Sequence, residues 1–255
     1  MINCKDELLA RLRENYLYYK DEISLLTDGL PEFIRNTLEV NKLSDHCYCI
    51  TYLFFGRSVC YALSFDGDSA PILDFLQTNP PFAEVHTNLL LGNTSPIGQR
   101  NLYGSCGSTI VPTHSEINGI QIVRFTSKEI ELFESLQDEL SQSGFDSYDL
   151  LRDGIASGQL AVFGAVVDGK CLAYTRINSS VANHSGKSII EPTVYTAKNC
   201  RKQGVAATLL TTVFTKYYAD CDITYGVDAK NISSNGLAQT VGLNYLGTKY
   251  RYTSH

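Results

Sequence analysis

Apolar residues Leu8, Leu9, Leu12, Tyr16, Tyr19, Ile23 and Leu26 recur at three- and four-residue steps, which predicts one amphipathic first helix ending at Asp28-Gly29. Pro31 opens a second, shorter helix. Residues 47–54 and 58–65 are rich in aromatic and β-branched side chains and flank Phe55-Gly56-Arg57, predicting two strands around a tight turn. A helix over 71–77 follows. Residues 78–111 are dense in Asn, Gly, Pro and Ser, and predict loops with one or two short strands. A junction over 112–118 divides the chain into an N-terminal α/β domain, 1–115, and a second domain, 116–255.

The second half alternates more cleanly. A short strand at 120–125 leads into Thr126-Ser-Lys-Glu129, a capping-box pattern that opens a helix carrying Ile130, Phe133, Leu136 and Leu140. Residues 159–167 and 170–177 flank Asp168-Gly169, whose readiness for positive φ predicts a type I′ hairpin. A polar stretch separates this hairpin from an extended segment at 188–196. Ala206, Leu209, Leu210, Val213, Phe214 and Tyr217 then share one helical face. A strand at 223–227, a helix at 232–241 and a last strand at 245–252 complete the order.

Composition narrows the function classes. The chain carries 21 basic against 27 acidic residues, a formal charge of −6, so it has no broad basic face for nucleic acid or anionic lipid. Its apolar runs, such as 160–167, are far shorter than the roughly 20 residues of a spanning helix. The acidic N-terminus is unlike a secretory signal, and a cytoplasmic location is expected. The eight cysteines include Cys47 and Cys49, which in a strand point to one face and act as small buried hydrophobes. No zinc-ligand spacing is present, and no metal is expected. Ser185-Gly186-Lys187-Ser188 is not a P-loop, because Val181 stands where its first Gly belongs. His46 and Cys47 are adjacent in a strand and point apart, which disfavours Cys–His chemistry. His184 reads as a surface histidine in a loop.

One segment carries chemistry. Between the extended segment and the amphipathic helix lies Lys198-Asn-Cys-Arg201-Lys202-Gln203-Gly204-Val205-Ala206-Ala207. A strand entering a short Gly-containing loop at a helix start presents backbone N–H groups and the positive end of the helix dipole, which together suit a phosphate. Gly204 permits close approach, Ala206 and Ala207 leave room, and Lys198, Arg201 and Lys202 add positive charge. A plain helix N-terminus with solvated basic residues is the competing reading.

Arg201-x-x-Gly204-x-Ala206, followed by Asp228-Ala-Lys-Asn231-x-x-Ser234-x-x-Leu237-Ala238-x-x-x-Gly242-Leu243, resembles the GNAT superfamily of acetyl-CoA-dependent N-acetyltransferases. Within it the chain looks like the bacterial branch that includes zwittermicin-type resistance acetyltransferases. The resemblance covers residues 120–252. It implies an α/β (α+β) GNAT fold, a mixed, mostly antiparallel sheet flanked by helices in which two parallel strands, 188–196 and 223–227, splay apart to admit coenzyme A. It further implies that Val194, Tyr195 and Thr196 bind the pantetheine arm through main-chain groups. On the same basis Arg201 and the amides of Gln203, Gly204, Val205, Ala206 and Ala207 hold the pyrophosphate, and Asn231 contacts the cofactor arm.

Acetyl transfer to an amine needs a group to remove the ammonium proton and one to serve the departing thiolate. Where many GNAT enzymes place a Tyr, seven residues after the Asn, this chain has Ala238. Tyr245 and Tyr225 are the substitutes, against a packing role. Glu191 and Asp228 are the candidate bases; Glu191 sits three residues from Val194 and faces the other way unless Pro192 or a bulge shifts the phase. A helix-start cap is the other reading of Asp228. No nucleophilic cysteine is required, so Cys200 is expected to be dispensable.

The expected activity is direct attack by a small-molecule amine on acetyl-CoA in a ternary complex. The alternatives are an acyl-CoA-binding regulator without catalysis, motivated by Ala238, and a protein N-acetyltransferase. The first domain repeats helix, hairpin and helix in that order, as a degenerate GNAT-like copy would. It lacks an R-x-x-G-x-A match, so no cofactor is expected there. Two roles are open to it, one wall of the acceptor site or a homodimer surface.

Overall fold

The computed structural model describes residues 4–27, 30–79, 81–92, 94–106, 117, 119–143, 145–180 and 187–253. Asp28-Gly29, nearly all of the expected junction at 112–118, Val181 and His184 lie outside the described residues. The elements in chain order are α1 (Cys4–Glu14), α2 (Lys20–Leu26), α3 (Glu32–Arg35), β1 (Glu39–Lys42), β2 (Cys47–Phe54), β3 (Arg57–Ser64), α4 (Ala70–Thr78), β4 (Glu84–Thr87) and β5 (Gly98–Ser105). Then come β6 (Gln121–Arg124), α5 (Ile130–Glu134), α6 (Gln137–Ser143), α7 (Tyr148–Ala156), β7 (Ala161–Val167), β8 (Lys170–Ser180), β9 (Ile189–Thr196), α8 (Val205–Thr212), β10 (Asp222–Asp228), α9 (Ile232–Thr240) and β11 (Asn244–Tyr252). The fold is α+β, with mixed, mostly antiparallel strand pairing. Among the described residues no helix is long and apolar enough to cross a membrane.

Two compact units interleave along the chain rather than meeting at one boundary. The first holds Met1–Leu102, Gly226–Ile232 and Tyr245–His255; the second holds Tyr103–Tyr225 and Ser233–Asn244.

In the first unit the strands run β1-β2-β3-β4-β11, antiparallel except for β3 with β4. The single first helix expected from periodicity is two helices, because Leu17, Tyr18 and Tyr19 are all buried. Consecutive helical residues point about 100° apart, so three in a row cannot share one narrow buried stripe. The chain therefore turns, with the N–H groups of Tyr18 and Tyr19 both donating to Asn15 O. Leu8, Leu12 and Leu26 then pack with Tyr48, Ile50 and Leu63. Ile72 of α4 joins Cys47, Cys49, Cys60 and Ala62 in a second cluster, so the C-x-C pair is buried together and all eight cysteines are free. The β2–β3 turn places Phe55 and Gly56 at φ 48° and 77°.

In the second unit the strands run β10-β9-β8-β7-β6. Asp168 and Gly169 close the β7–β8 hairpin at φ 48° and 73°, as their chemistry predicts. Half of the capping box forms, one turn before α5: Glu129 Oε2 accepts from both the N–H and the hydroxyl of Thr126, but the Thr126 hydroxyl oxygen accepts from Lys128 N–H, and Glu129 is itself the N-cap of α5. The helix expected after it is α5 and α6, interrupted at Ser135-Leu136, and α7 was not anticipated. Ser147 caps α7, its hydroxyl accepting from Leu150 N–H at 3.5 Å. On one face of the strands, Tyr174 meets Phe133 edge-on at 5.4 Å and Tyr195 at 5.9 Å. On the other, Phe163 meets Tyr217, in a π-helical turn (Val213–Tyr217) that extends α8.

Candidate active site

β9 and β10 run parallel, in register at Asp222↔Ile189 and Ile223↔Ile190, and among the described residues that register ends there. β9 continues to Thr196 while still paired with β8, from Ser180↔Ile189 to Ala173↔Thr196. Pro192 follows directly on the parting. It has no N–H to offer a ladder, which is why strand prolines sit at edges. The ladder between the two strands thus ends before 192–196, as the splay implied by the resemblance requires.

This stretch leads into the Gly204 loop. A single 3-10 turn (Lys198–Cys200) leaves β9, Arg201 is extended, and Lys202 and Gly204 both take left-handed conformations at φ 60° and 80°. Such a conformation costs a non-Gly residue roughly 1–2 kcal/mol, so Lys202 is held there by its surroundings. Gly204 is the N-cap of α8, and its carbonyl accepts the first intrahelical bond from Thr208 N–H at 2.9 Å. The N–H groups of Val205, Ala206 and Ala207 precede that first bond, so the helix itself gives them no acceptor. Among the described residues no side-chain hydrogen bond caps this end, and Arg201, Lys202 and Gln203 are exposed beside it. Arg201 folds back, its Nε donating to Thr196 O at 3.1 Å and its guanidinium lying 5.8 Å from the Tyr195 ring centre. Gln203 Nε2 donates to Asn199 O at 2.9 Å. These contacts close the loop on itself; at the start of α8, Gly204 and Ala206 are half-buried and Val205 and Ala207 are buried.

The remaining predicted residues are distributed as follows. Val194 and Thr196 are half-buried, whereas Tyr195 is buried, with its hydroxyl donating to Glu139 Oε1 at 3.1 Å. Burial first, and that bond second, raise the Tyr195 hydroxyl pKa. The β8–β9 register is unbroken, so Glu191 shares a face with Thr193 and Tyr195 and points away from Val194. Neither Pro192 nor a bulge changes the phase. Arg176, opposite Thr193, lies on the Glu191 face and pairs with Asp146 at 3.8 Å. Asp146 also accepts from the Tyr174 hydroxyl at 2.9 Å and borders a cavity of about 500 Å³ lined by Gln137, Leu140, Phe145 and Tyr148.

Asp228, Asn231 and Tyr245 belong to the first unit. Asp228 builds a turn: its carboxylate accepts from Lys230 N–H at 2.8 Å and its carbonyl from Asn231 N–H at 2.9 Å. Tyr245 is 56% exposed, and its hydroxyl bonds Thr248 Oγ1 at 2.6 Å. Tyr225, in the second unit, is buried, and burial raises its hydroxyl pKa against the hydrogen bond with Ser234. Ala238 is fully buried, and Cys200 packs beneath the loop with its thiol donating to Asn199 Oδ1. Among the described residues no cluster suited to a metal ion occurs.

No family model matches the chain, and no curated protein matches it. Solved structures do. An acetyltransferase of the GNAT family from Colwellia psychrerythraea is similar over 97% of this chain and 97% of its own, at 14% identity and a TM-score of 0.55. The fold is GNAT-like. A functionally unknown protein from Staphylococcus epidermidis aligns with 85% of this chain and 95% of its own, at 14% identity and a TM-score of 0.52. A Drosophila protein covers 98% of this chain and 90% of its own, at 12% identity and a TM-score of 0.50. The GNAT-like likeness thus runs over both units, beyond the half of the chain in which the motifs lie. At these identities it is a likeness of fold.

Proposed function

We propose that this protein is an acetyl-CoA-dependent N-acetyltransferase acting on an amine of a small molecule. The observation that carries the proposal is the parting of β9 from β10 directly upstream of an uncapped, Gly204-started helix. A strand edge that has left its ladder, next to helix-start N–H groups to which the helix offers no acceptor, matches a ligand with an amide-bearing arm and a pyrophosphate. Acetyl-CoA, when bound, supplies the acyl group activated as a thioester. The amides of Gln203, Gly204, Val205, Ala206 and Ala207 would hold the pyrophosphate, with Arg201 and Lys202 adding charge. Main-chain groups of Val194, Tyr195 and Thr196 would bind the arm as an added strand does. The residues so named, 194–196 and 201–207, all belong to the second unit.

Glu191 is the proposed base, receiving the ammonium proton through a water. Since it faces away from Val194, the amine approaches from the face that also carries Thr193 and Arg176. A second reading, an acyl-CoA-binding regulator, is favoured by the buried Ala238 where a hydroxyl would serve the thiolate.

Isothermal titration of the full chain with acetyl-CoA tests the seat. Micromolar binding is expected, reduced on the order of 100-fold in Gly204→Glu and in Ala206→Glu, which place a carboxylate over the amides. Ala206→Glu guards against misfolding, because only Gly204 requires a positive φ. Absence of binding to the wild type overturns the proposal. Thiol release from acetyl-CoA in the presence of amines then separates enzyme from regulator.

A further inference from the structure

We infer that Glu139, on α6, is a positioning residue that holds the phosphate loop in its binding shape, an inference resting on the acetyl-CoA reading above. One carboxylate oxygen, Oε1, accepts from Lys198 N–H at 2.6 Å and from the Tyr195 hydroxyl at 3.1 Å. It thereby fixes a side chain near the end of β9 and the first main-chain amide of the turn that follows. From there further contacts run along the loop as far as Gln203. The Tyr195 ring is the floor for the Arg201 guanidinium, Arg201 Nε returns to Thr196 O, and Gln203 is tied to Asn199 O. Glu139 itself holds the first of these, through the Tyr195 hydroxyl, and the amide that opens the turn.

Two physical considerations make this more than a packing contact. The loop contains a non-Gly residue in a left-handed conformation, Lys202, so its shape is not the one a free chain would adopt. Ordering such a loop only when the ligand arrives would subtract from affinity. The second consideration is charge. A carboxylate beside a seat for a pyrophosphate repels it, so a favourable effect of Glu139 on binding acts through geometry and against Coulomb's law. The charge and the acceptor can therefore be separated by substitution, with opposite signs.

The test is titration of the full-length wild type, Glu139→Gln, Glu139→Asp and Glu139→Ala with acetyl-CoA, and with ADP as a probe of the diphosphate part alone. Glu139→Gln keeps a carbonyl acceptor at the same reach without charge, and is expected to bind both ligands as tightly as the wild type or severalfold tighter. Glu139→Asp keeps the charge but draws the acceptor back by a methylene, and Glu139→Ala removes both; each is expected to weaken both ligands about tenfold. A merely stabilising contact would lower the melting temperature of the variants and leave the affinity of the folded protein unchanged. Should Glu139→Ala not fold, the Gln and Asp pair decides alone. Equal affinity in Asp and wild type, tighter binding in all variants, or equal weakening by Gln and Asp overturns the inference while leaving the acetyl-CoA reading intact. A wild type that binds neither ligand removes both.

Discussion

Each unit contains a strand, a loop, a helix and a parallel strand: β3–α4–β4 in the first, β9–α8–β10 in the second. The two differ at every point a ligand would use. β3 and β4 stay in register over four pairs, Val59↔Glu84 to Ala62↔Thr87. Where the main-chain ladder stops, the Asn88 side chain takes over, accepting from Ser64 N–H at 3.0 Å and donating to Ser64 O at 2.6 Å. β9 and β10 hold two pairs and then part. The loops diverge in the same sense. After β3, the Ser64 hydroxyl accepts from Gly67 N–H, Asp66 from Asp68 N–H and Asp68 from Ala70 N–H. Bonds from Asp68 N–H and the Ser64 hydroxyl hold the Asp66 carboxyl below its usual pKa, so the loop carries its own anions. After β9, residues 198–207 contain no acid, and basic side chains flank an uncapped helix start. The same backbone turn is thus closed by its own acceptors in one unit, and in the other it is the turn proposed as an anion seat. What separates them is which acceptors already occupy the amides, and this is a property of a few side chains.

Opening the first joint should cost stability and confer no binding. Asn88→Ala leaves the buried Ser64 N–H and C=O without their side-chain partner, and each such group costs about 1–3 kcal/mol. Thermal denaturation is expected to show a loss of about 3 kcal/mol. Acetyl-CoA titration should still report the wild-type affinity and one site per chain. A second binding event in Asn88→Ala would show that sequestered amides were not what distinguishes the two turns.

A smaller effect should follow Asp68→Ala, which removes the acceptor for the first amide of α4. A fall in Tm of about 2–4 °C is expected, as for the loss of a helix cap, again with no acetyl-CoA bound at the freed amide. The strand slot beside it remains closed by Asn88.

Much of the architecture was legible because its signals are local. The type I′ hairpin at Asp168-Gly169, the Thr126–Glu129 bonds and the helix after Gly204 each depend on residues within one turn of one another. The features missed depend on distant partners. α7, which no pattern above predicts, runs through Gly154, where a Cβ would meet the Leu160 side chain at 2.4 Å. The break after Glu14 comes from the joint burial of Leu17, Tyr18 and Tyr19, which no spacing rule contains. In the candidate site, the loop was readable from Arg201, Lys202 and Gly204, but the parting of β9 left only Pro192 as a local trace. Glu139 left none, since it meets Lys198 across 59 residues. Asp228 had two readings that sequence could not separate, and its bonds to Lys230 and Asn231 show a turn-forming role.

The smallest expected effect concerns the intact β3–β4 pairing itself. His86 pairs with Tyr61 in register, and their rings stack at 4.7 Å with planes 12° apart. Its Nε2 lies 3.1 Å from Glu84 Oε2, while Arg251 stands opposite it on β11 and Lys249 is close enough to act on its charge. Burial is the largest influence and holds the His86 pKa below its ordinary 6.5; Glu84 opposes this, and Arg251 and Lys249 add to it. The unfolded chain therefore takes up the proton before the folded one does. This part of the stability is complete above the unfolded pKa and is lost as pH falls through 6.5 toward the lower folded value. His86→Phe keeps a ring for Tyr61 and cannot titrate. The stability of the wild type relative to His86→Phe should decline by less than about 1 kcal/mol between about pH 7 and pH 5, with acetyl-CoA affinity at about pH 7 equal in both. A wild type that gains stability relative to His86→Phe on acidification would mean that the charged imidazole is the form the fold prefers, with Glu84 outweighing burial. The β3–β4 joint would then be held by an ion pair, in contrast to the stacked, neutral ladder that distinguishes it from the open pair β9–β10.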